Sequence, residues 1–251
     1  MTNQEALEKS YDAFQPFSDR QRWEFNNNLF HLNFITAKVN KGDLTIDVGC
    51  GIGLLALALK FLGYRVKGYD KYVFTGDSFY DKTDSQTLAK IWKENGLEII
   101  SLDILADPLP EKSFGGVISI ATLEHQSHPK LFLEKIISLL KPNGWVYLAT
   151  PNIATLSNRL RFLLGRSPIS NITEFYRLAD NFSGHWREYV LSELSFMVAS
   201  SGLEIEEAQN VGVITTKIKL NRKFFRKCLL ALGNYLPGFK DTIFVFARRK
   251  G

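Results

Sequence analysis

Short apolar runs alternate with longer helical patterns through the first 150 residues of the chain. Five of these runs predict β-strands, at Leu44–Asp47, Tyr64–Asp70, Leu97–Leu102, Gly116–Ala121 and Trp145–Thr150. The segments between them predict helices from Gly53 to about Leu62, at Ser85–Asn95 and at Pro129–Lys141. Nearly all-apolar strands that alternate with helices indicate an α/β fold with a parallel sheet covered on both faces.

The two ends of the chain add further elements to this core. Helices are predicted at Glu5–Asn40, Ile153–Leu164 and Leu191–Ser201, and closing strands at Gly202–Val211 and Thr242–Ala247. Lys141–Gly144 is predicted to be a turn, and Gly165–Gly184 to be irregular. The pattern contains no repeat and no clear linker. We therefore expect a single domain over 1–251, with a helical cap at 1–40, a core at 41–152 and a second cap with the closing strands at 153–251.

The first strand leads into the run Asp47-Val48-Gly49-Cys50-Gly51-Ile52-Gly53, directly before a strong helix former. Glycines let the backbone turn sharply and approach a ligand without an intervening Cβ. The turn also presents unpaired backbone N–H groups at a helix N-terminus, which suits a polar or anionic ligand group. The structural alternative is a buried strand followed by a glycine-rich connection.

Acidic residues recur at the carboxyl ends of the predicted strands. Asp47, Asp70 and Asp103 each end such a strand, and Leu123-Glu124-His125 follows the fourth. These ends meet at one edge of a parallel sheet, where α/β proteins bind ligands. A carboxylate at Asp70 can accept both hydroxyls of a ribose, and one at Asp103 can accept from an adenine amine. An adenosine compound fits this arrangement.

The glycine spacing separates this chain from dinucleotide-binding proteins, because Leu54 occupies the position of the third glycine of G-x-G-x-x-G. The run Asp47–Gly53 resembles the first motif of class I S-adenosylmethionine-dependent methyltransferases. The resemblance continues through Asp70, Leu102-Asp103-Ile104, Leu123-Glu124-His125 and Leu139–Gly144 to Thr150-Pro151-Asn152, and covers roughly residues 40–152. Within that class the chain looks most like the ubiquinone-biosynthesis and sugar O-methyltransferase branch. The resemblance implies a Rossmann-like, seven-stranded mixed sheet with one antiparallel strand.

The same resemblance implies a role for each matching residue toward S-adenosylmethionine. The turn, Gly49, Cys50, Gly51 and Gly53, would pass under the methionine part, and Asp47 would approach its amino group. Asp70 would hold the ribose, Asp103 and Ile104 would border adenine, and Ala121 and Thr122 would line the methyl-donor side. The core at 41–152 is then the cofactor-binding part and 153–251 caps the acceptor site. The chain departs from the family pattern in the long Asp70–Leu97 link, where the extra loop Tyr72–Asp84 has no counterpart from which the resemblance implies a position relative to adenine.

The acceptor is indicated by a second likeness. Thr150-Pro151-Asn152, Asn158–Arg161 and His185-Trp186-Arg187-Glu188-Tyr189 resemble methyltransferases of bacterial surface-glycan clusters. This implies O-methylation of a sugar, glycan or glycolipid intermediate. Two alternatives stay open, a quinone-like aromatic acceptor and an inactive cofactor-binding scaffold. Nucleic acid is not expected, because Ala121–His125 replaces the Pro-Pro-aromatic loop of base methyltransferases and the chain has no separate recognition domain.

Histidine is the residue type best suited to accept a proton from an acceptor hydroxyl. His185 is the first candidate base and His125 the second; the structural alternative for each is a neutral imidazole that bonds a carbonyl or caps a helix. Arg159 and Arg187 could bind phosphate or carboxylate, and Trp186 and Tyr189 could stack on a ring. Surface ion pairs and core packing are the corresponding alternatives.

Charge and cysteine content add two expectations. Ten of the 31 Lys and Arg residues lie in Lys217–Gly251 with one acid, Asp241, although the whole chain carries only +5. Basic residues beside an apolar helix in Lys217–Phe239 suit an anionic membrane surface; a packed helix with a solvated basic face is the alternative. The two cysteines are far apart in the sequence and predict neither a disulfide nor a metal site. The polar start predicts no signal peptide, so we expect a cytoplasmic protein, in peripheral contact with the inner face of the membrane if the basic segment binds there.

Overall fold

The computed structural model describes the chain except residues 16, 72–81, 170–171, 179–181, 213–227, 229–231, 234 and 237, and the side chains of 20, 82–85 and 174. Seven strands form one sheet in the order β3-β2-β1-β4-β5-β7-β6. The strands are β1 Leu44–Val48, β2 Arg65–Asp70, β3 Glu98–Ser101, β4 Phe114–Ile120, β5 Leu140–Pro151, β6 Leu203–Val211 and β7 Thr242–Arg249. β1 to β5 are parallel and β7 is antiparallel to both β5 and β6. The expected mixed sheet is confirmed.

Helices cover both faces of this sheet. The α-helices are α1 Asn3–Ala13, α2 Phe25–Lys38, α3 Leu54–Phe61, α4 Lys82–Glu94, α5 Pro129–Ser138, α6 Leu156–Leu163, α7 Ile172–Leu178 and α8 Leu191–Ser200, with 3₁₀ turns at Phe17–Glu24 and Leu123–His125. α1 to α4 contribute to the core on one face, and α5 and α8 to the core on the other. In β5, Trp145 and Tyr147 face the first core and Val146 and Leu148 the second, as the two-residue period of a strand requires.

α3 is buried on every side, since all residues from Leu54 to Leu59 have at most 7% exposure. Such a helix must lie between two packed layers, and here α1 covers it, with the Ser10 hydroxyl donating to the Leu54 carbonyl at 2.7 Å. This packing fixes the start of α3, and therefore the glycine turn that precedes it. The functional edge thus rests on the most buried helix of the described part of the chain.

Four elements differ from the sequence predictions. The helical pattern of Glu5–Asn40 is divided by the 3₁₀ segment, which follows the helix-breaking Pro16 of the sequence. Gly165–Gly184 is not irregular throughout, because it contains α7. The predicted turn at Lys141–Gly144 lies inside β5 as a bulge, where Leu140 pairs with Phe114 and Trp145 with Gly116.

The fourth difference is the start of α6, which begins three residues later than predicted. Thr155 forms its N-cap, and its hydroxyl accepts from the Asn158 N–H at 3.3 Å. The preceding residues instead bond toward Tyr189, whose carbonyl accepts from the Ile153 N–H at 3.1 Å. The bond from Ile153 therefore ties the residues before α6 to the segment that precedes α8.

Candidate functional site

The glycine turn between β1 and α3 has the conformation that only glycine adopts readily. Gly49, Gly51 and Gly53 have φ values of 76°, 55° and 90°. A Cβ on Gly49 would overlap the Thr122 side chain, whereas one on Gly51 would meet nothing within 4 Å. The turn is anchored from β2, because the Tyr69 carbonyl accepts from the Gly49 and Cys50 N–H groups at 2.8 and 3.2 Å. Gly51 therefore lies over open space on a rigid support.

Two carboxylates lie close to this turn. Asp70 Oδ2 accepts from the Gly51 N–H at 2.9 Å, which fixes the end of β2 against the turn. Burial, and secondarily the Asp70 carboxylate, raise the pKa of Asp47 to about 7. Two neighbouring acids at a buried strand edge disfavour a second negative charge and favour a ligand that carries a positive one. The electrostatics of the turn therefore fit a cationic ligand.

Asp103 lies beyond Asp70 at the end of β3. Its Oδ2 accepts from Lys71 Nζ at 2.8 Å and its Oδ1 from the Leu105 N–H at 3.0 Å. Burial raises the pKa of Asp103, but these hydrogen bonds outweigh it and leave the pKa below its ordinary value. Asp103 is thus an ionised acceptor that already pairs with the Lys71 ammonium group. The sequence prediction of an adenine contact did not include this ion pair.

A cavity of about 250 Å³ opens at this edge of the sheet. It is lined by Val48, Gly49, Tyr69, Asp70, Lys71, Leu102, Asp103, Ile104, Leu105, Thr122, His125, Gln126, Ser127, Phe182 and Trp186. The predicted site residues Gly49, Asp70, Asp103, Ile104, Thr122, His125 and Trp186 therefore share one cavity. The predicted cofactor residues Asp47, Cys50, Gly51, Gly53 and Ala121 do not line this cavity.

The loop after β4 contributes Thr122, His125, Gln126 and Ser127 to the lining of the cavity. Ala121 has φ of 51°, an unfavourable value for a residue with a Cβ, and its N–H donates to the Ala149 carbonyl at 2.9 Å. The Thr122 hydroxyl donates to the Val48 and Ile120 carbonyls at 3.2 and 3.1 Å. This strained bend brings the Thr122 side chain against Gly49.

His125 and His185 come from separate segments and meet beside the cavity, with ring centroids 4.7 Å apart. His125 Nδ1 lies 2.8 Å from the Ser183 carbonyl, and His185 Nδ1 lies 2.8 Å from Glu188 Oε1. A carbonyl or an ionised carboxylate can only accept, so both Nδ1 atoms carry a proton, and in the neutral form of each ring the Nε2 atom presents a lone pair. Burial lowers the pKa of His125, while the Glu188 hydrogen bond raises that of His185.

Glu124 is fully buried behind the two rings, and the sequence did not single it out as a site residue. Its Oε2 accepts from the Thr150 hydroxyl at 2.9 Å, and its Oε1 has no hydrogen-bond partner. Burial raises the pKa of Glu124 to about 7. One donor atom from each of Glu124, His125 and His185 lies within 4.8 Å of the others. These three residues are called the Glu-His-His cluster below.

The remaining predicted acceptor residues are dispersed. Arg159 lines a separate surface groove of about 530 Å³, where its Nε donates to the Ala154 carbonyl at 2.8 Å. Arg187 pairs with Glu193 at 2.6 Å on the surface, which is the ion-pair alternative. Tyr189 is 2% exposed within the second core, which is the packing alternative. Of the four, only Trp186 lines the main cavity.

Several functional positions were missed because they come from distant parts of the chain. Phe182 was missed; it and the predicted Trp186 pack edge to face with Phe175 of α7, at 5.2 and 5.4 Å between ring centroids, and form an aromatic wall. Lys71 was missed although it directly follows Asp70. The signal for Lys71 was its place directly after Asp70. The signal for the aromatic wall was the helical spacing of the apolar residues Ile172 and Phe175. Most of the Tyr72–Asp84 loop and of Lys217–Phe239 lies outside the described residues.

The chain matches a family model described as a methyltransferase domain over residues 20–208. It is 28% identical over 189 residues to a ubiquinone biosynthesis O-methyltransferase of Burkholderia thailandensis, covering 73% of this chain and 75% of that protein. That relative is named for O-methylation.

Solved structures share the fold. A chain of the complex between the Haloferax volcanii Trm112 methyltransferase activator and a methyltransferase has a TM-score of 0.64 at 15% identity, covering 96% of this chain and 98% of that one. The Burkholderia thailandensis 1,6-didemethyltoxoflavin-N1-methyltransferase, solved with S-adenosylhomocysteine, has a TM-score of 0.57 at 15% identity, covering 98% and 88%. Since that enzyme is named for transfer to nitrogen, the fold alone leaves the acceptor open.

Proposed function

Because the chain belongs to the class I S-adenosylmethionine-dependent methyltransferases, we propose that it methylates a hydroxyl oxygen of a small-molecule acceptor bound beside His125 and Trp186. The observation that carries this proposal is the Glu-His-His cluster against the cavity wall. Its Nε2 lone pairs suit an oxygen that must lose a proton. The relative's name, an O-methyltransferase, agrees with an oxygen acceptor.

The residues of the edge fit the cofactor on two observations. Gly51 offers open space where a side chain would intrude, and the Asp47–Asp70 pair favours a positive charge. When bound, S-adenosylmethionine supplies a methyl group on a positively charged sulfur, already activated for transfer. We propose that Asp47 approaches the amino group, Asp70 holds the ribose, and Asp103 and Ile104 border adenine. Ala121 and Thr122 would then flank the reacting methyl.

This chain's contribution to the reaction is positioning. The aromatic wall of Phe182 and Trp186 orients a ring, and the strained loop at Ala121 holds the acceptor side close to the donor side. Alignment in a site that excludes water can supply a large part of the acceleration of such a displacement. The acceptor oxygen forms a bond to carbon as the carbon–sulfur bond breaks, and its proton leaves at the Glu-His-His cluster. His185 Nε2 is the first candidate to take this proton, and His125 Nε2 is the second.

We propose an aromatic hydroxyl as the acceptor. The ring-stacking wall and the ubiquinone O-methyltransferase relative both support it. A sugar or glycolipid hydroxyl is the second candidate. It is supported by the likeness of His185-Trp186-Arg187-Glu188-Tyr189 to glycan methyltransferases, and a sugar ring also stacks on Trp186.

A labelled methyl-transfer screen tests the proposal. The panel combines phenols and dihydroxylated aromatic acids, nucleotide sugars, glycolipids, and amines as a control for nitrogen acceptors. We expect product only from hydroxyl acceptors, with phenols turned over faster than sugars. Transfer only to amines would contradict the proposal, and tight cofactor binding with no product from any class would favour the inactive scaffold.

A further inference from the structure

The Glu-His-His cluster has the donors of a metal site. We propose that Glu124, His125 and His185 bind a first-row divalent cation such as Zn²⁺, which in turn binds the acceptor oxygen. The proposal rests on the proposed function for its catalytic consequence, but not for the binding itself. It replaces the metal-free prediction made from cysteine spacing.

The first support is the buried Glu124 carboxylate. Its side chain is 0% exposed, one oxygen is held by Thr150, and Oε1 has no partner among the described residues. A buried polar atom without a partner is costly, and it usually faces a ligand, an ion or a water. One donor atom of each cluster residue lies within 4.8 Å of the others, so the Glu124 carboxylate converges with two imidazoles.

The second support is the way the two rings are held. Metal-binding histidines commonly donate their other ring N–H to a carbonyl or carboxylate, which fixes the tautomer and the ring orientation. His125 does so with the Ser183 carbonyl and His185 with Glu188, each at 2.8 Å. In the neutral rings both Nε2 atoms therefore present lone pairs, as ligation requires.

The donor set also indicates which cation. Two imidazoles and one carboxylate suit Zn²⁺, Fe²⁺ or Co²⁺ better than Mg²⁺, which prefers oxygen ligands. Bonds of about 2.1 Å place the ligand atoms about 3 to 4 Å apart, so small side-chain rotations would complete the site. Three protein ligands leave positions open, which is the pattern of catalytic metal sites.

A coordination position of the cation that no protein ligand fills would be available to the hydroxyl oxygen of an acceptor in the adjoining cavity. A hydroxyl oxygen bound to a divalent cation loses its proton to water more readily. The oxygen lone pair then forms the bond to the methyl carbon while the carbon–sulfur bond breaks and leaves a neutral thioether. The histidines would in this case hold the cation, and neither of them would take the proton.

Cobalt titration of the chelator-treated, untagged protein tests the site directly. Co²⁺ has visible absorption that reports its ligands without any need for turnover. We expect one equivalent to bind with a band that Zn²⁺ abolishes and excess Mg²⁺ does not. Both His185→Ala and Glu124→Gln should weaken binding at least about tenfold. His128→Ala is the matched control and should bind as the wild type does, because His128 is exposed and contacts Ser127.

Thermal melting identifies any variant that fails to fold, and Glu124→Gln keeps the volume of the buried side chain if His185→Ala does not fold. Absence of Co²⁺ binding, or binding that survives both substitutions, would overturn the proposal. Methyl transfer that continues undiminished after chelation would overturn the cation's role while the proposed function stands. Cobalt binding with no hydroxyl methylation would instead support the site and contradict the proposed function.

Discussion

At the scale of single residues, Gly49 and Gly51 have different reasons to be glycine. Both adopt positive φ, which costs an alanine about 1 to 2 kcal/mol. Only Gly49 has no room for a Cβ, because Thr122 occupies the space. A Cβ at Gly51 would meet no atom within 4 Å, and we propose that the cofactor occupies this space. A substitution at Gly49 therefore tests the stability of the fold, and one at Gly51 tests cofactor binding.

Gly49→Ala should lower the free energy of unfolding by more than about 2 kcal/mol, because backbone strain and steric overlap with Thr122 add. The variant should therefore unfold at a markedly lower denaturant concentration than the wild type. Gly51→Ala should cost only about 1 to 2 kcal/mol but lower the affinity for S-adenosylhomocysteine at least about tenfold. Denaturant melts and calorimetry measure both quantities. Wild-type affinity in Gly51→Ala would place the cofactor elsewhere.

Asp70→Ala should weaken S-adenosylhomocysteine binding about ten- to hundredfold. The ribose would lose a charge-assisted acceptor, and the Gly51 N–H would lose its partner at 2.9 Å. Glu98→Ala is the control, because Glu98 is an exposed acid on the neighbouring strand that pairs with Lys67. Equal affinities in calorimetry for Asp70→Ala and the control would reject the ribose role.

At the scale of elements, α2 is joined to the sheet by a buried polar contact. His31 Nδ1 lies 2.6 Å from the Tyr147 hydroxyl of β5, and the ring is fully buried. Burial lowers the pKa of His31 to about 3. The unfolded chain, with a histidine pKa of about 6.5, binds more protons than the folded chain between these values. Stability from this group is therefore present above pH 6.5 and is lost as the pH falls toward 3.

The wild type should thus lose about 2 kcal/mol through His31 between pH 6.5 and pH 5. Asp47 and Glu124 have raised pKa values and oppose this trend, so the informative quantity is a difference. Urea melts of the wild type and His31→Gln at both pH values give that difference. An identical pH dependence in the two proteins would show that His31 is not buried as a neutral ring.

Element prediction succeeded where sequence neighbours decide the outcome. The glycine turn and the acids at Asp70 and Asp103 follow from local pattern and from the rule that parallel strands end at one edge. The Glu-His-His cluster could not be assembled in this way, because His125 is anchored by Ser183, 58 positions away in the chain. The Lys141–Gly144 bulge was predicted as a turn because its residues favour one, but they lie within β5 between Leu140 and Trp145, which both pair with β4, and this pairing overrides the local preference.

At the scale of the whole molecule, charge and exposed apolar surface are unevenly placed. Phe162, Leu163 and Leu164 at the end of α6 are 72%, 79% and 73% exposed. The basic segment Lys217–Phe239, most of which lies outside the described residues, contributes six bases before its apolar half. No helix in the described part of the chain has the length and apolar character to span a bilayer. Peripheral contact with an anionic surface remains the prediction for these features.

The protein should therefore sediment with anionic vesicles and not with neutral ones, and it should dissociate at high salt. Removal of four bases should reduce binding strongly, since each contributes about 1 kcal/mol near such a surface. The test variant replaces Arg222, Lys223, Arg226 and Lys227, and the control replaces Lys90, Lys93, Lys130 and Lys141. Equal loss in both variants would indicate a response to net charge and would contradict a localised membrane contact.

The central claim is that the β1–β2–β3 edge holds the cofactor with its reactive end toward the Glu-His-His cluster. A crystal structure with S-adenosylhomocysteine and an accepted acceptor tests it most directly. We expect the ribose on Asp70, the thioether sulfur near Ala121, and the acceptor oxygen between that sulfur and the cluster. Cofactor density away from the Gly49–Gly53 turn, or an acceptor on the far side of Trp186 from the cluster, would contradict the account.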